Sequence, residues 1–361
     1  MTKLLQELDQ KQELSSLMYR EIMLTRIRTG LAFDAACCTT VDPQTLLTTG
    51  AITEQGLERI HGALLDNEYL HDDYNKFAEL ARSNAAASSL WEATGGRPEL
   101  SRRYREVLQP AGFADELRAA LRTGEACWGF LILFRKSEQG PFQQEELQFI
   151  RDIAPLIAGR LKAKALNPAA LTDSGGQPEE GIIILDDRLE PVSQNPGGRY
   201  WLEQLQRMEQ QSRPALPGPV RAVSLRALAG KRAAGELPRG GSPASGESTA
   251  AARVCFRAPD GRFINITASR LDGPSGLVQL AVSFTAAKAA DLLPMVTEAY
   301  GFTEREKEIA LLLSKGLSTK ELALNLHISA YTVQDHLKSI FSKAGVSSRR
   351  ELIWLLYSRY Q

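Results

Sequence analysis

One stretch of the sequence decides the fold of the C-terminal part of the chain. Residues 302–353 read FTEREKEIALLLSKGLSTKELALNLHISAYTVQDHLKSIFSKAGVSSRRELI. Three times in this stretch a Ser or Thr stands three residues before a Glu, as in Thr303-Glu-Arg-Glu306, and an apolar run follows. This spacing is the capping box that begins a helix, Ser329 supplies a further cap, and Gly316 and Gly345 stand where helices end. The stretch therefore predicts four short helices.

The second and third of these helices are separated only by the short break at His327-Ile328, which predicts a helix-turn-helix. On the third helix the inner face consists of Val333, Leu337, Ile340 and Phe341. Five other positions project outward, and they are Tyr331, Gln334, Asp335, Lys338 and Ser342.

Residues 302–353 closely resemble the LuxR/GerE-type DNA-binding domain. The resemblance rests on the motifs T-x-R-E, G-L-S-x-K-E-L-A, I-S-x-x-T-V-x-x-H and K-x-G-V-x-S-R-x-E-L. Two positions depart from the family pattern: Gln334 stands where a basic residue is usual, and the acidic Asp335 follows it. The resemblance implies that the third helix enters the major groove of double-stranded DNA.

The outward side chains of the third helix match the chemistry of base edges. Gln334 can form two hydrogen bonds to adenine, Asp335 can accept one from cytosine N4, and Lys338 can reach guanine or a phosphate. The resemblance implies that a second group holds phosphates and sets the register. The predicted DNA-binding set is Thr319, Lys320, Tyr331, Thr332, Gln334, Asp335, Lys338, Ser342 and Arg349. On an isolated helix, the same charged positions would indicate only a solvent-exposed face. His336 fits either a packing role or a phosphate contact.

The net charge of the chain is zero, from 43 basic and 43 acidic residues, but the charges are unevenly distributed. Residues 1–170 contain 20 basic and 23 acidic side chains, and residues 171–298 contain 14 of each. Residues 299–361 contain 9 basic and 6 acidic side chains, and 5 of these basic residues against 2 acidic ones lie after residue 326. The excess positive charge therefore lies from the third helix onward, where a DNA backbone would be met.

The N-terminal part predicts a sensory domain at residues 1–166. A helical pattern extends from about Leu4 to Arg28, and residues 31–40 fit a first strand. A dense apolar strand at 126–135, a turn at 136–141 and an amphipathic helix at 142–161 follow, and this order resembles the end of a GAF domain. Trp128 and Cys127 face opposite sides of their strand, so one of them lines the interior, either as packing or as a ligand wall.

The middle part resembles a PAS domain over residues 178–288, after a linker near 167–178. It contains strands at 181–187 and 191–195, a helix with Tyr200, Trp201 and Leu205, and antiparallel strands at 252–257, 263–269 and 277–284. Between the helix and the last strands, residues 211–252 are rich in Pro, Gly and Ser, which predicts a mobile insert. With a helix-turn-helix domain at 296–361, the predicted fold class is an α+β multidomain chain: two antiparallel-sheet domains, then an all-α four-helix domain.

Several classes of protein are excluded by composition. Four cysteines without a C-x-x-C pair encode neither a disulfide framework nor a zinc cluster, and Cys37-Cys38 is read as strand packing rather than a redox or sensing pair. His71-Asp72-Asp73 is read as a solvated loop rather than a metal site. No long apolar segment, signal peptide, phosphate loop, G-x-S-x-G elbow or H-E-x-x-H motif is found. We therefore expect a cytoplasmic non-enzyme without metal or cofactor and with no membrane partner.

These observations predict a bacterial DNA-binding transcriptional regulator that responds to a small molecule or another signal. We expect a homodimer on an inverted-repeat operator with half-sites about 10 bp apart, and RNA polymerase is a further candidate partner. Leu352, Leu355 and Leu356 on the fourth helix are the predicted dimer contacts. Two alternatives stay open: a phosphorylation-driven response regulator, and a regulator whose sensory-fold domains only mediate assembly. The sequence identifies no ligand-binding residue.

Overall fold

The computed structural model describes residues 14–54, 56–166, 180–209, 216–230, 252–258, 261–273 and 277–357. Within these ranges the chain forms two five-stranded antiparallel sheets with helices on them, followed by a group of C-terminal helices. The predicted α+β multidomain fold class is confirmed.

The first sheet has the strand order β2-β1-β5-β4-β3, and each described strand pair in it is antiparallel. The elements of this part are α1 (Ser16–Arg28), β1 (Ala35–Val41), β2 (Thr48–Thr53), α2 (Glu58–Leu70), α3 (Phe77–Arg82), β3 (Ala87–Ser89), α4 (Leu90–Ala93), β4 (Asp115–Thr123), β5 (Ala126–Arg135) and α5 (Gln144–Leu166).

Two boundaries differ from the sequence prediction. The helix predicted from residue 4 is described from Ser16 onward, because residues 1–13 lie outside the described residues. The first strand begins at Ala35 rather than at residue 31, because Arg28 closes a turn before it. The Arg28 guanidinium lies 4.0 Å from the centre of the Phe33 ring and donates to the Phe33 carbonyl oxygen.

Both faces of the first sheet are covered. Trp128 packs on the side of α1 and α5, Cys127 packs on the side of α2 and α3, and each is 2% exposed. Gly129, the next residue of β5, permits a close approach of β5 and β1, because a Cβ atom at this position would lie 2.3 Å from the Thr39 carbonyl oxygen. The two residues therefore face opposite sides of the sheet, and each is buried within an apolar cluster.

The second sheet has the strand order β7-β6-β10-β9-β8, again antiparallel throughout the described pairs. Alternate residues of its central strands point to an inner core that includes Ile183, Val282 and Phe284, each fully buried. The elements of this part are β6 (Gly181–Leu185), β7 (Pro191–Gln194), α6 (Pro196–Met208), α7 (Gly218–Ala229), β8 (Arg253–Arg257), β9 (Phe263–Asp272) and β10 (Val278–Ala286).

Part of the predicted mobile insert is a buried helix. The prediction placed a loop across residues 211–252, whereas α7 occupies Gly218–Ala229 and buries Val220, Ala222 and Val223 completely. The prediction was wrong there because the Gly and Pro residues that suggested a loop stand at the start of α7, where Pro is compatible with a helix. Residues 210–215 and 231–251 lie outside the described residues.

Helix α7 also joins the two sheets, because it packs on β9 on one side and on α2 and β2 on the other. The Arg221 guanidinium pairs with the Asp66 carboxylate of α2 at 2.6 Å. A second contact lies at the sheet ends, where the backbone N–H of Cys255 donates to the Asp42 carboxylate at 2.9 Å.

A further helix, α8 (Ala289–Ala299), connects the second sheet to the C-terminal helices. At its start, the Asp291 carboxylate accepts from the Asn265 side-chain amide at 2.8 Å and pairs with Arg253 at 3.1 Å. At its end, Glu298 pairs with Lys307 at 2.5 Å. Both ends of α8 are thus fixed by polar contacts.

The C-terminal helices are α9 (Glu304–Ser314), α10 (Thr319–Leu326), α11 (Ala330–Ala344) and α12 (Arg349–Tyr357). Helix α12 packs against α8, and this contact buries the predicted dimer residues. Leu352, Leu355 and Leu356 are 0%, 5% and 1% exposed. Their assignment as dimer contacts was wrong, because the apolar face of α12 is used inside the chain.

None of the described helices is both long and apolar enough to cross a membrane.

Candidate nucleic-acid interface

The capping residues begin the C-terminal helices as predicted. Glu306 N–H donates to Thr303 Oγ1 at 3.3 Å while Thr303 N–H donates to the Glu306 carboxylate at 2.7 Å. Ser318 and Glu321 form the same reciprocal pair before α10. These caps fix where α9 and α10 start.

The third predicted box is only half formed. Glu351 N–H donates to Ser348 Oγ at 3.2 Å, but the Glu351 carboxylate accepts from Ser347 N–H at 2.8 Å instead of from Ser348. The helix still begins where the sequence predicts, because one cap bond is sufficient to satisfy that donor.

The turn between α10 and α11 is tight. His327 ends α10 in the left-handed conformation, with φ of +53°, and Ile328 N–H donates to the Ala323 carbonyl oxygen at 3.0 Å. Ser329 then caps α11 by accepting from Thr332 N–H at 3.0 Å. This arrangement is a helix-turn-helix with α11 as its second helix.

Helix α11 has a buried and an exposed face at the predicted positions. Val333 and Ile340 are fully buried and Leu337 is 9% exposed, whereas Phe341 and His336 are half-buried. The predicted outward residues are all exposed, and they are Tyr331, Gln334, Asp335, Lys338 and Ser342. Helix α11 therefore presents a continuous outer surface to solvent, which we call the outer face.

The buried carboxylate of Glu306, which the sequence did not indicate as a contact, holds α11 against α9. Glu306 is 3% exposed and accepts from Ser339 Oγ at 2.7 Å and from Lys343 Nζ at 2.6 Å. Burial acts to raise the pKa of Glu306, but the hydrogen bonds from Lys343, Ser339 and the Thr303 backbone outweigh it and lower that pKa. The only signal in the sequence was the Glu of the first capping box, which indicated a cap and not a contact to α11.

The charges of the outer face compensate each other in part. Lys338 Nζ lies 3.3 Å from the Asp335 carboxylate, and the two side chains are 73% and 49% exposed. Lys343 carries positive charge on the same helix but is held by Glu306. The outer face therefore combines hydrogen-bonding groups with little net charge.

The predicted phosphate-holding residues lie at the beginnings of three helices. Lys320 is exposed, while Thr319, Thr332 and Arg349 are half-buried. Thr332 Oγ1 lies 2.9 Å from Ser329 Oγ within the cap of α11. The Arg349 guanidinium donates to the Leu317 carbonyl oxygen, so this residue fastens α12 to the loop before α10.

Other candidate residues of the sequence lie away from this surface. His71 Nδ1 lies 3.1 Å from Arg102 Nη1, and Asp73 accepts from Asn67 and from the Arg103 backbone. Burial raises the pKa of Cys37 to about 12 and that of Cys38 to about 11, so both thiols stay protonated near neutral pH.

The interior of the first domain contains a buried ion-pair chain that the sequence did not reveal. Arg103 pairs with Glu116 at 2.6 Å, and Arg118 pairs with Glu68 at 2.9 Å and with Glu116 at 3.3 Å. Burial acts to lower the pKa of Arg118, but the two carboxylates outweigh it and raise that pKa. Phe77 stacks on Phe130 at 4.0 Å beside this chain. These ion pairs connect Glu68 of α2 with Arg118 and Glu116 of β4.

Two segments match known protein families. Residues 301–356 match the family described as "Bacterial regulatory proteins, luxR family", and residues 77–161 match the GAF domain. The predicted resemblances are confirmed for these segments: the C-terminal helices match the luxR-family helix-turn-helix domain, and β3, β4, β5 and most of α5 lie within the GAF match.

Two curated relatives each match less than a fifth of this chain. The response regulator protein VraR of Staphylococcus aureus is 41% identical over 66 residues, which are 18% of this chain and 29% of that protein. A putative HTH-type transcriptional regulator of Mycobacterium bovis is 41% identical over 51 residues, which are 14% of this chain and 6% of that protein. The chain thus spans less than a third of the length of these relatives.

Among solved structures, Escherichia coli SdiA aligns with 100% of this chain and 99% of its own, at 11% identity and a TM-score of 0.33. Similarity at this level supports no inference about the chain.

Proposed function

We propose that this chain is a DNA-binding transcriptional regulator that reads its operator with α11. The observation that carries the proposal is the outer face: a luxR-family helix-turn-helix whose second helix exposes five polar or aromatic side chains to solvent. A helix of about 10–12 Å in diameter fits the major groove of B-DNA, and its exposed side chains then meet the base edges.

The proposed roles follow the chemistry of each side chain. Gln334 reads adenine, Asp335 accepts from cytosine N4, and Lys338 reaches guanine or a phosphate. Tyr331 and Ser342 lie on the same outer face and complete the contact at its two ends. Phosphates are held by Thr319, Lys320, Thr332 and Arg349, and Arg349 keeps spare N–H donors beside its bond to Leu317.

The remaining parts supply sensing and assembly in this proposal. We assign residues 1–166 to a GAF-like domain, 178–288 to a PAS-like domain and 296–361 to the DNA-binding domain. The protein acts as a homodimer on an inverted repeat, responds to a small molecule or another signal, and contacts RNA polymerase without catalysing a reaction. Its buried, unpaired cysteine thiols fit the reducing cytoplasm.

The phosphorylation alternative has less support. A receiver domain contains a parallel sheet with acidic residues at its strand ends, whereas both sheets of the described residues are antiparallel. In the assembly alternative, the sensory-fold domains join two copies and bind no ligand. Native mass spectrometry of the purified chain distinguishes this alternative from a ligand sensor, because it shows whether a compound is bound.

Selection of bound sequences from random double-stranded DNA tests the proposal. We expect enrichment of an inverted repeat with half-sites about 10 bp apart. The double variant Lys320→Ala/Lys338→Ala should then bind the enriched site more weakly, because it removes two cations that face the duplex. The matched control is Lys315→Ala, since Lys315 is an exposed lysine at the end of α9. Failure to enrich any sequence, or an unchanged affinity of the double variant, would overturn the assignment.

A further inference from the structure

One strand of the second sheet contacts both the first domain and the helix that leads to the DNA-binding domain. This strand is β8, which stands at the end of the strand order, so one of its edges pairs with no strand of the described chain. Val254 and Phe256 of β8 point into the inner core. Because side chains alternate along a strand, Arg253 and Cys255 point to the opposite side, which we call the outer side of the sheet.

A carboxylate of the first domain binds the open edge of β8. Alternate N–H groups of an edge strand point away from its neighbour, and the Cys255 N–H donates to Asp42 Oδ2 at 2.9 Å. Asp42 lies in the turn between β1 and β2, where its other oxygen accepts from the Gln44 N–H at 2.9 Å. Asp42 and Cys255 are 6% and 4% exposed, so loss of this bond would leave a buried N–H without an acceptor.

Two residues earlier on the same strand, Arg253 binds the start of α8. Arg253 Nη2 lies 3.1 Å from Asp291 Oδ1. Asn265 of β9, which pairs with Cys255, donates to Asp291 Oδ2 at 2.8 Å. The same oxygen accepts from the Lys288 N–H at 2.8 Å and thereby caps α8. Asp291 therefore joins the first turn of α8 to β8 and β9.

Helix α8 connects this contact to the C-terminal helices. Leu292 and Val296 of α8 are buried in the same apolar cluster as Cys255 of β8 and Leu352 of α12. Helix α8 also packs directly against α12. Because a closely packed interior transmits displacements, a shift of β8 reaches α12 through α8.

Another contact between the two sheet domains lies on the opposite side of the second sheet. Arg221 of α7 pairs with Asp66 of α2 at 2.6 Å, and Val220 and Val223 of α7 belong to the inner core. Helix α8 lies on the outer side, where Arg253 and Asn265 bind it. The Asp66 contact therefore joins the same two domains without binding α8.

We propose that β8 couples the first domain to the DNA-binding domain, through Asp42 on one side and Asp291 on the other. A change in the first domain that withdraws Asp42 leaves the buried Cys255 N–H without its acceptor. This loss favours displacement of β8 and weakens its hold on the first turn of α8. The consequence for DNA rests on the proposed function: movement of α8 changes the position of α12, and with it that of α11 at the operator.

Hydrogen exchange of the full chain without DNA tests the coupling, with the α8 amides as the measured group. Asp42→Ser keeps an acceptor for the turn at Gln44 but is too short to serve Cys255 as well. It should speed exchange of the α8 amides at least about threefold. Asp291→Ala should also speed it, because it releases α8 directly. In the double variant the two increases should not multiply, because both act through β8.

The matched control is Asp66→Ala, which removes a carboxylate between the same two domains and should leave exchange of the α8 amides as in the wild type. Arg253→Met tests the coupling from the other end. Because coupling between two sites is reciprocal, this variant should speed exchange of the Gln44 and Leu46 amides, which bond to Asp42. A wild-type circular dichroism spectrum checks that each variant folds.

The proposal is overturned if Asp42→Ser leaves the α8 amides unchanged, or if the two increases multiply in the double variant. It is also overturned if Arg253→Met leaves the amides of the β1–β2 turn unchanged, or if Asp66→Ala speeds the α8 amides as much as Asp42→Ser. Selection from random DNA separates these results from the proposed function. Coupled exchange in a chain that enriches no DNA sequence would support the coupling and overturn the proposed function.

Discussion

Asp335 and Lys338 determine the charge that the outer face brings to DNA. They lie 3.3 Å apart on one turn of α11, and both are largely open to solvent. Phosphate contacts supply most of the salt-dependent affinity of a DNA-binding protein, whereas base contacts supply its discrimination. In the proposed function, the carboxylate of Asp335 therefore lowers the affinity for any duplex and favours cytosine at the base it contacts.

Asp335→Asn should separate these two effects. We expect the affinity for random-sequence DNA to rise about two- to tenfold at low salt, and the salt slope to steepen by up to about 1, because Lys338 is released from its partner. Preference for cytosine at one position of the half-site should fall. Fluorescence anisotropy titrations between 50 and 200 mM salt measure the affinity and its salt slope. The same titration with a duplex altered at that position measures the preference for cytosine.

The matched control is Glu304→Gln, which removes a carboxylate that is 88% exposed at the start of α9 and not on α11. It should leave both the salt slope and the base preference as in the wild type. Equal effects of the two variants would show that Asp335 acts only through net charge.

Glu306 is the residue that holds α11 in place. Glu306→Gln should destabilise the C-terminal helices by about 1–3 kcal/mol, because Lys343 loses its charged partner within a buried site. Hydrogen exchange of α11 amides in the full chain measures the loss. The pKa of Glu306 is lowered in the folded state, so its contribution is present above the ordinary value of 4.5 and is lost as pH falls through the lower folded value. The difference between wild type and variant should therefore shrink in acid, and a difference independent of pH would contradict this role.

At the scale of elements, the C-terminal helices were predictable because their signals are local. Each begins at a Ser or Thr that bonds a backbone N–H three residues later, and α11 ends at Gly345, which has φ of +65°. The outer face of α11 was predictable from the helical spacing of its apolar residues. These features depend on neighbours in sequence, so the chain alone specifies them.

Elements that depend on distant contacts were not predictable in this way. Helix α7 is short and begins with Gly and Pro, and it is helical in this fold because Val220 and Val223 pack between β9 and α2. The leucines of α12 form an apolar stripe that could cover either another copy or another helix. The position of α8 decides whether the stripe packs on another helix or on another copy, and residues 349–357 do not encode that position.

The junction of α6 and α7 carries a pH-dependent contact. Glu209 follows α6 and accepts from Gly218 N–H at 3.0 Å, and burial raises its pKa to about 7 despite this bond. The folded state therefore binds more protons than the unfolded state between the ordinary value of 4.5 and about 7. Stability from this group is fully present below the ordinary value and is lost as pH rises through about 7.

Glu209→Gln should remove this dependence, because the amide resembles the protonated carboxyl and does not titrate. We expect the thermal midpoint of the wild type to fall by a few degrees more than that of the variant between pH 5 and pH 7.5. Glu180→Gln, at an exposed carboxylate before β6, is the control. Parallel pH profiles of wild type and Glu209→Gln would contradict the role of this carboxylate.

At the scale of the whole molecule, the chain separates its charges along its length. Residues 299–361 carry three more basic than acidic side chains, while residues 1–170 carry three more acidic than basic ones. Helix α8 joins the second sheet to the C-terminal helices, with Asp291 paired to Arg253 at one end and Glu298 paired to Lys307 at the other. In the proposed function, the acidic part disfavours non-specific contact with DNA, and α8 passes the state of the sensory domains to α11.

The proposed function requires that the outer face of α11 reads DNA sequence. Selection from random DNA, performed in parallel with the wild type and with Gln334→Ala, tests it most directly. The wild type should enrich an inverted repeat, and Gln334→Ala should lose the preference for adenine at one position of each half-site, with a smaller effect on overall affinity. An identical enriched sequence for both proteins would contradict it.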